Sequence, residues 1–131
     1  MNFDIRLGKY GEEIAVKYLK NKGFRILDQN YRRNWSPIDK VEADIIAEKR
    51  KIFHFIEVKT SESSAFNRRF FNPEGRAGYQ KQKKLANLAQ IWLNEHKISL
   101  ETGWQIDVLS ILADIENKTA RIRFFENVFG S

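Results

Sequence analysis

The chain of 131 residues contains no cysteine, one methionine, two prolines and two histidines. Without cysteine, neither a disulfide framework nor a thiolate zinc site can form. His54 and His96 stand far apart in the sequence and do not suggest a histidine metal cluster. The opening residues, "MNFDIRLGKYGEE", hold no long apolar stretch, so neither a signal peptide nor a membrane span is visible there; a cytoplasmic protein without a membrane partner is expected. Repeats, low-complexity segments and long linkers are also missing. Residues 1–131 are therefore expected to form a single domain.

What the chain does have is apolar bulk and positive charge. Hydrophobic residues make up 42% and aromatics 13%, ten of them Phe, which is enough burial to offset the entropy of ordering a small domain. Twenty-three Lys and Arg against seventeen Asp and Glu leave a formal charge of +6. Such a balance favours a polyanionic partner, nucleic acid first, because each phosphate neutralised releases counterions. A basic solubilising surface would give the same balance.

Hydrophobic periodicity sets the element order. Leu7, Gly11, Ile14, Ala15, Tyr18 and Leu19 recur at helical spacing over 6–22, with Gly23 where a helix would end. "FRILDQNYR", 24–32, reads as a strand, followed by a loop at Ser36 and Pro37. "EADIIAE" and "IFHFIEVKT" read as a hairpin turning at Lys49 and Arg50. Residues 61–77 form a long connection of the kind that is usually functional. A second helix carries Leu85, Leu88, Ala89, Trp92 and Leu93 on one stripe, and strands are expected over 104–112 and 120–129. The order implies an α/β or α+β domain with helices packed on a mixed central sheet.

The hairpin concentrates the chemistry. A turn at Lys49 and Arg50 sets Asp44 opposite Phe55 and Glu42 opposite Glu57, and alternation then places Glu42, Asp44, Glu57 and Lys59 on one face. Asp44 and Glu57 become diagonal neighbours, close enough for both carboxylates to meet one ion. Crowded carboxylates need a compensating cation. Lys59 is one, and a divalent ion with oxygen ligands, Mg²⁺ or Mn²⁺, is the other. Such an ion polarises a phosphodiester and lowers the pKa of a bound water, and Lys59 can hold that water or stabilise developing charge. A Glu-x-Lys string is more often a salt-bridged strand face, so the context carries the reading.

That context resembles the PD-(D/E)xK nuclease superfamily, in the form shared by archaeal Holliday-junction resolvases and the YraN-like bacterial family (UPF0102). "GKYGEEIAVKYLKNKGFRILDQNYR" is similar to the family's opening helix and first strand, "EADIIAE" to its Gly-Glu-Ile-Asp segment and "FIEVKT" to its Phe-Val-Glu-Val-Lys strand. "KQKKLANLAQIWL" resembles the Lys-rich helix that follows, and "WQIDVLSI" the later Arg-Phe-Asp-Val strand. The resemblance implies a restriction-endonuclease-like three-layer α/β domain and a Mg²⁺-dependent endonuclease acting on DNA, in its sharper form on branched or damaged DNA. It assigns Asp44 and Glu57 to the metal, Lys59 to catalysis and Glu12 to a supporting contact. The chain departs from the pattern before Glu42, where Gly is usual, at Thr60 and Ser61, and at Gln105. These departures favour the alternative, a non-catalytic nucleic-acid-binding protein of the same fold.

Other residues carry paired readings. Glu12 also suits the first turns of a helix as a dipole partner. Gly8 and Gly11 suit either close packing on the sheet or a frayed helix start. Lys81 falls on the sheet-facing stripe of the second helix, where it can hold a phosphate or snorkel to water. Arg32, Arg33, Arg68, Arg69 and Arg76, interleaved with Trp35, Phe70, Phe71 and Tyr79, suit a nucleic-acid surface. Phe70 and Phe71 equally suit a core anchor or a homodimer contact, and "FFENVF" an edge strand or dimer packing. His54 is expected to be packed and hydrogen-bonded on the face opposite Glu57, and Asp107 to pair with a basic neighbour.

Overall fold

The computed structural model describes residues 3–34, 40–62, 76–114 and 116–129. The elements are α1 (Phe3–Asn21), β1 (Arg25–Asn34), β2 (Lys40–Lys49), β3 (Ile52–Glu62), α2 (Arg76–Glu95), β4 (Trp104–Asp114) and β5 (Thr119–Phe125). The strands form one mixed sheet in the order β1-β2-β3-β4-β5, antiparallel throughout except for the parallel pair β3–β4. A parallel pair cannot be joined by a tight turn, and α2 lies in the crossover.

Both faces of the sheet are covered. On one, Leu7, Ala15 and Leu19 of α1 pack with Phe24, Ile45, Ala47, Ile56, Leu109 and Ile111. On the other, Leu85, Leu88, Ala89, Trp92 and Leu93 of α2 pack with Val41, Ala43, Ile46, Phe53, Phe55 and Ile106. The expected α/β architecture with helices on a mixed central sheet is thus what the chain adopts. Double coverage explains why β3 and β4 read as nearly continuous apolar runs.

Local signals act where expected. Gly23 at φ 91° ends α1 with a paired closure, Phe24 N–H donating to Leu19 C=O at 3.0 Å and Gly23 N–H to Lys20 C=O at 3.1 Å. Gly11 is buried against β3: a Cβ there would sit 2.8 Å from Thr60 Cβ and 2.9 Å from its Cγ2. Close approach of helix to sheet therefore requires Gly11, whereas nothing crowds Gly8.

Two expectations need correction. The hairpin turns at Arg50 and Lys51, not at Lys49 and Arg50; both turn residues have positive φ, 52° and 66°, as a twist-matched two-residue turn demands. Ile46 therefore faces Phe55, in place of Asp44, and because each partner moves by two positions the side-chain parity survives within the paired stretch Ile45–Lys49. The last strand ends at Phe125 rather than 129. Asn127, at φ 53°, turns the chain, Val128 N–H donates to Ile106 C=O at 2.8 Å, and Val128 and Phe129 pack on the α2 side. Of "FFENVF", Phe124 and Phe125 thus belong to the edge strand β5, and Val128 and Phe129 pack within the chain beyond it.

Candidate metal centre

The β2–β3 ladder ends at Ile45 with Ile56, and Asp44 and Glu57 stand one step beyond, where the two strands open. Asp44 spans the opening by accepting a hydrogen bond from Val58 N–H at 2.8 Å. Alternation along β2 breaks at this residue: Val41 and Ala43 belong to the α2-side cluster, while Ile45 and Ala47 belong to the α1 side. Asp44 thus sits in the opening between two half-sites.

On the α1 side, Glu12, Glu42 and Asp44 each bring one carboxylate oxygen within 4.8 Å of the others. With its NH₂ turned toward them, the Asn30 carboxamide donates to Glu12 Oε1 at 3.0 Å and to Glu42 Oε1 at 2.7 Å. Asn30 itself is in the left-handed region at φ 55°, a conformation that Asn tolerates better than most residues. A cavity of about 350 Å³ lies beside the cluster, lined by Leu7, Gly8, Glu12, Asp44, Val58, Lys59 and Thr60.

On the α2 side, Glu57 alternates with Ile56 and Val58, which pack toward α1, and so turns the other way. It is 3% exposed, and its Oε1 meets Lys81 Nζ at 2.5 Å and Lys59 Nζ at 3.1 Å. The two ammoniums hold that oxygen by charge and not by well-directed hydrogen bonds. Lys59 links the halves, since it also lines the cavity beside Glu12 and Asp44.

Electrostatics follow from this placement. Burial pushes the Asp44 carboxyl up to about 7; the Val58 N–H opposes the rise, and Glu42, Glu12 and Glu57 add to it. Burial and the neighbouring Glu42 raise Glu12 as well. For Lys81, burial alone would lower the ammonium's pKa, but contact with Glu57 outweighs it and the value is raised.

The three-carboxylate group matches the donor set of a hard divalent cation. Ligand oxygens on opposite sides of Mg²⁺ lie about 4 Å apart and on opposite sides of Ca²⁺ about 5 Å. Three oxygens already within 4.8 Å can close on such an ion with small side-chain movements. The cluster can therefore hold a metal, with water or a substrate oxygen completing its shell.

The structure does not assemble the expected residues as one face. Glu12, Asp44 and Lys59 share a cavity, whereas Glu57 faces α2 and pairs with the two lysines, outside the three-carboxylate group. Lys81, read as a phosphate holder or a snorkelling lysine, pairs with Glu57. Arg33 is paired with Glu95 of α2, and Arg32 is exposed beside Glu42 in the β1–β2 register. Arg68 and Arg69 lie outside the described residues, and only the backbone of Arg76 is described, at the start of α2. Among the ancillary expectations, His54 is buried on the α1 side, edge-on to Phe24, with its Nδ1 2.6 Å from Asp107 Oδ2. Sequence reading did not select Glu42 as a ligand or Asn30 as its partner. Glu42 was in view as a same-face carboxylate; Asn30 offered no signal, because its role depends on a backbone conformation.

The fold and site define a class: an α/β domain with a five-stranded mixed sheet, two packed helices and an acidic cluster able to hold a metal. The model of "Uncharacterised protein family UPF0102" matches residues 11–111. A UPF0102 protein of Alkaliphilus oremlandii is 37% identical over 124 residues, covering 95% of this chain and 97% of its own length. One from Clostridium botulinum is 31% identical over 123 residues, covering 94% and 93%. The chain belongs to UPF0102.

Proposed function

We propose that this chain is a metal-dependent nuclease that hydrolyses phosphodiester bonds of DNA, of the PD-(D/E)xK kind. The observation that carries the reading is the convergence of Glu12, Glu42 and Asp44 beside a cavity that Glu12, Asp44 and Lys59 line. Glu12, Glu42 and Asp44 would hold Mg²⁺ or Mn²⁺, which supplies charge to a phosphoryl oxygen and acidifies a bound water. Lys59, a compact point charge, stabilises charge building on the phosphate. Glu57 keeps Lys81 charged and holds both Lys59 and Lys81 at the opening. In the superfamily's usual arrangement Glu57 is itself a metal ligand; here a rotation away from the lysines would be needed to bring it to the ion. Branched DNA is the substrate to test first, beside duplex and single strands.

The experiment is cleavage of labelled single-stranded, duplex and four-way-junction DNA in Mg²⁺ or Mn²⁺, with chelated protein and Asp44→Asn alongside. Metal-dependent cutting that Asp44→Asn abolishes is the expected result. Cutting unchanged by Asp44→Asn and by Lys59→Ala overturns the reading. The neutralised Glu57 favours a second reading, a non-cleaving nucleic-acid-binding module, which salt-sensitive binding without turnover would select.

A further inference from the structure

Beside the candidate metal centre runs a second concavity of about 530 Å³, between α1 and the turn-distorted middle of β1. Lys9, Lys17 and Lys20 line one wall together with the exposed carboxylate of Glu13, Gln29 and Asn30 line the other, and Glu12 is common to it and to the metal-centre cavity; three ammoniums thus outnumber the two carboxylates. The two concavities therefore adjoin at Glu12. We propose that this groove is the track for the sugar-phosphate backbone of the nucleic acid on one side of the candidate site, with Lys9, Lys17 and Lys20 on its phosphates. The inference rests on the nucleic-acid reading above and names the strand path that reading leaves open.

Three observations support it. All three lysines are exposed, and among the described residues no carboxylate lies within ion-pair distance of any of them. Their charge is thus available to an outside anion. Lys9 and Lys20 are three helical turns apart on the same side of α1, about 16–17 Å along its axis, a span that covers several successive phosphates of one strand. No aromatic residue lines the groove among the described residues; its lining is ammonium, carboxamide and carboxylate with Val16. A strand there is gripped by its phosphates, without base stacking, and so without sequence preference.

Arg32 extends the same face. Its neighbours Tyr31 and Arg33 turn to α2, where both contact Glu95, so Arg32 points toward the α1 side. It is exposed at the register position of Glu42. Positive charge on both sides of the acidic cluster lets a polyanion approach carboxylates that would otherwise repel it.

The test is equilibrium binding of a labelled single strand and its duplex by fluorescence anisotropy, in chelator, across a series of salt concentrations. The variant carries Lys9→Ala, Lys17→Ala and Lys20→Ala. A control removes the same charge elsewhere with Lys51→Asn, Lys97→Asn and Lys83→Ala; Lys51 and Lys97 sit at positive φ, which Asn accepts. The slope of log affinity against log salt is expected to fall by about 2 on the single strand and by nearly 3 on the duplex for the groove variant, and to change far less for the control. Equal losses in both variants would mean that only net charge matters, and would overturn the track, as would an unchanged groove variant or a wild type that binds neither DNA. Cleavage measured separately in Mg²⁺ keeps the two readings apart. A wild type that binds through the groove but never cuts leaves the track standing and removes the hydrolytic reading.

Discussion

Removing the charge of Asp44 should stabilise the metal-free protein at alkaline pH, although Asp44 lies at the heart of the site. Its carboxyl rises from 3.8 to about 7 through burial and the neighbouring carboxylates. Between those values the native state holds a proton that the unfolded chain has released, so stability falls as pH rises from about 4 to about 7 and levels off above. The shift corresponds to about 4 kcal/mol. Asn keeps an acceptor for Val58 N–H and removes the ionisation. Urea unfolding in chelator at pH 5 and pH 8.5 reads the effect directly. Wild type should lose about 2.7 kcal/mol between the two, since part of the effect is already gone by pH 5, and Asp44→Asn should lose much less and be the more stable protein at pH 8.5. Added Mg²⁺ at about a hundred times its dissociation constant should return about 2.7 kcal/mol to wild type and little to the variant. A variant less stable than wild type at pH 8.5 in chelator would refute the reasoning, because the buried charge would then be compensated by something other than a proton or an ion.

Further outcomes follow from individual contacts. Lys81→Ala strips one of two ammoniums from buried Glu57 and should cost about 1–3 kcal/mol; adding Glu57→Gln should recover most of it, which a double-mutant cycle by chemical unfolding measures. Gly11→Ala drives a Cβ into Thr60 and should cost about 1–3 kcal/mol, partly restored by Thr60→Ala, as thermal melts would show. Asp107→Ala leaves His54, Gln105 Nε2 and Asn127 N–H without their shared acceptor. The buried His54 nitrogen left unpaired should alone cost about 1–3 kcal/mol, and hydrogen exchange should speed at Val128, whose amide holds the same segment to β4.

The sequence by itself determined the layers and the chemistry available. The stripes on α1 and α2 and the apolar runs of β2, β3 and β4 fixed which elements form and that a sheet lies between helices, because burial on two faces demands those periods. Gly23 marked the end of α1, the Glu57-x-Lys59 string marked the charged end of β3, and Asp44 was legible as its companion on the paired strand. Tertiary structure decided how those charges meet. The turn moved by one residue because a hairpin loop is chosen by backbone twist, which allowed Arg50 and Lys51 to take positive φ without glycine. The break in alternation at Asp44 then sent Glu42 toward Glu12 and left Glu57 to Lys59 and Lys81, a division that period-two reasoning does not contain. Asn30 joined the carboxylates only because its backbone turned left-handed, and the α1 lysines faced a groove only once β1 lay against the helix. Residue type sets which groups can bind a metal or a phosphate. Which of them converge depends on distances between segments far apart in the chain, and only the packed fold sets those.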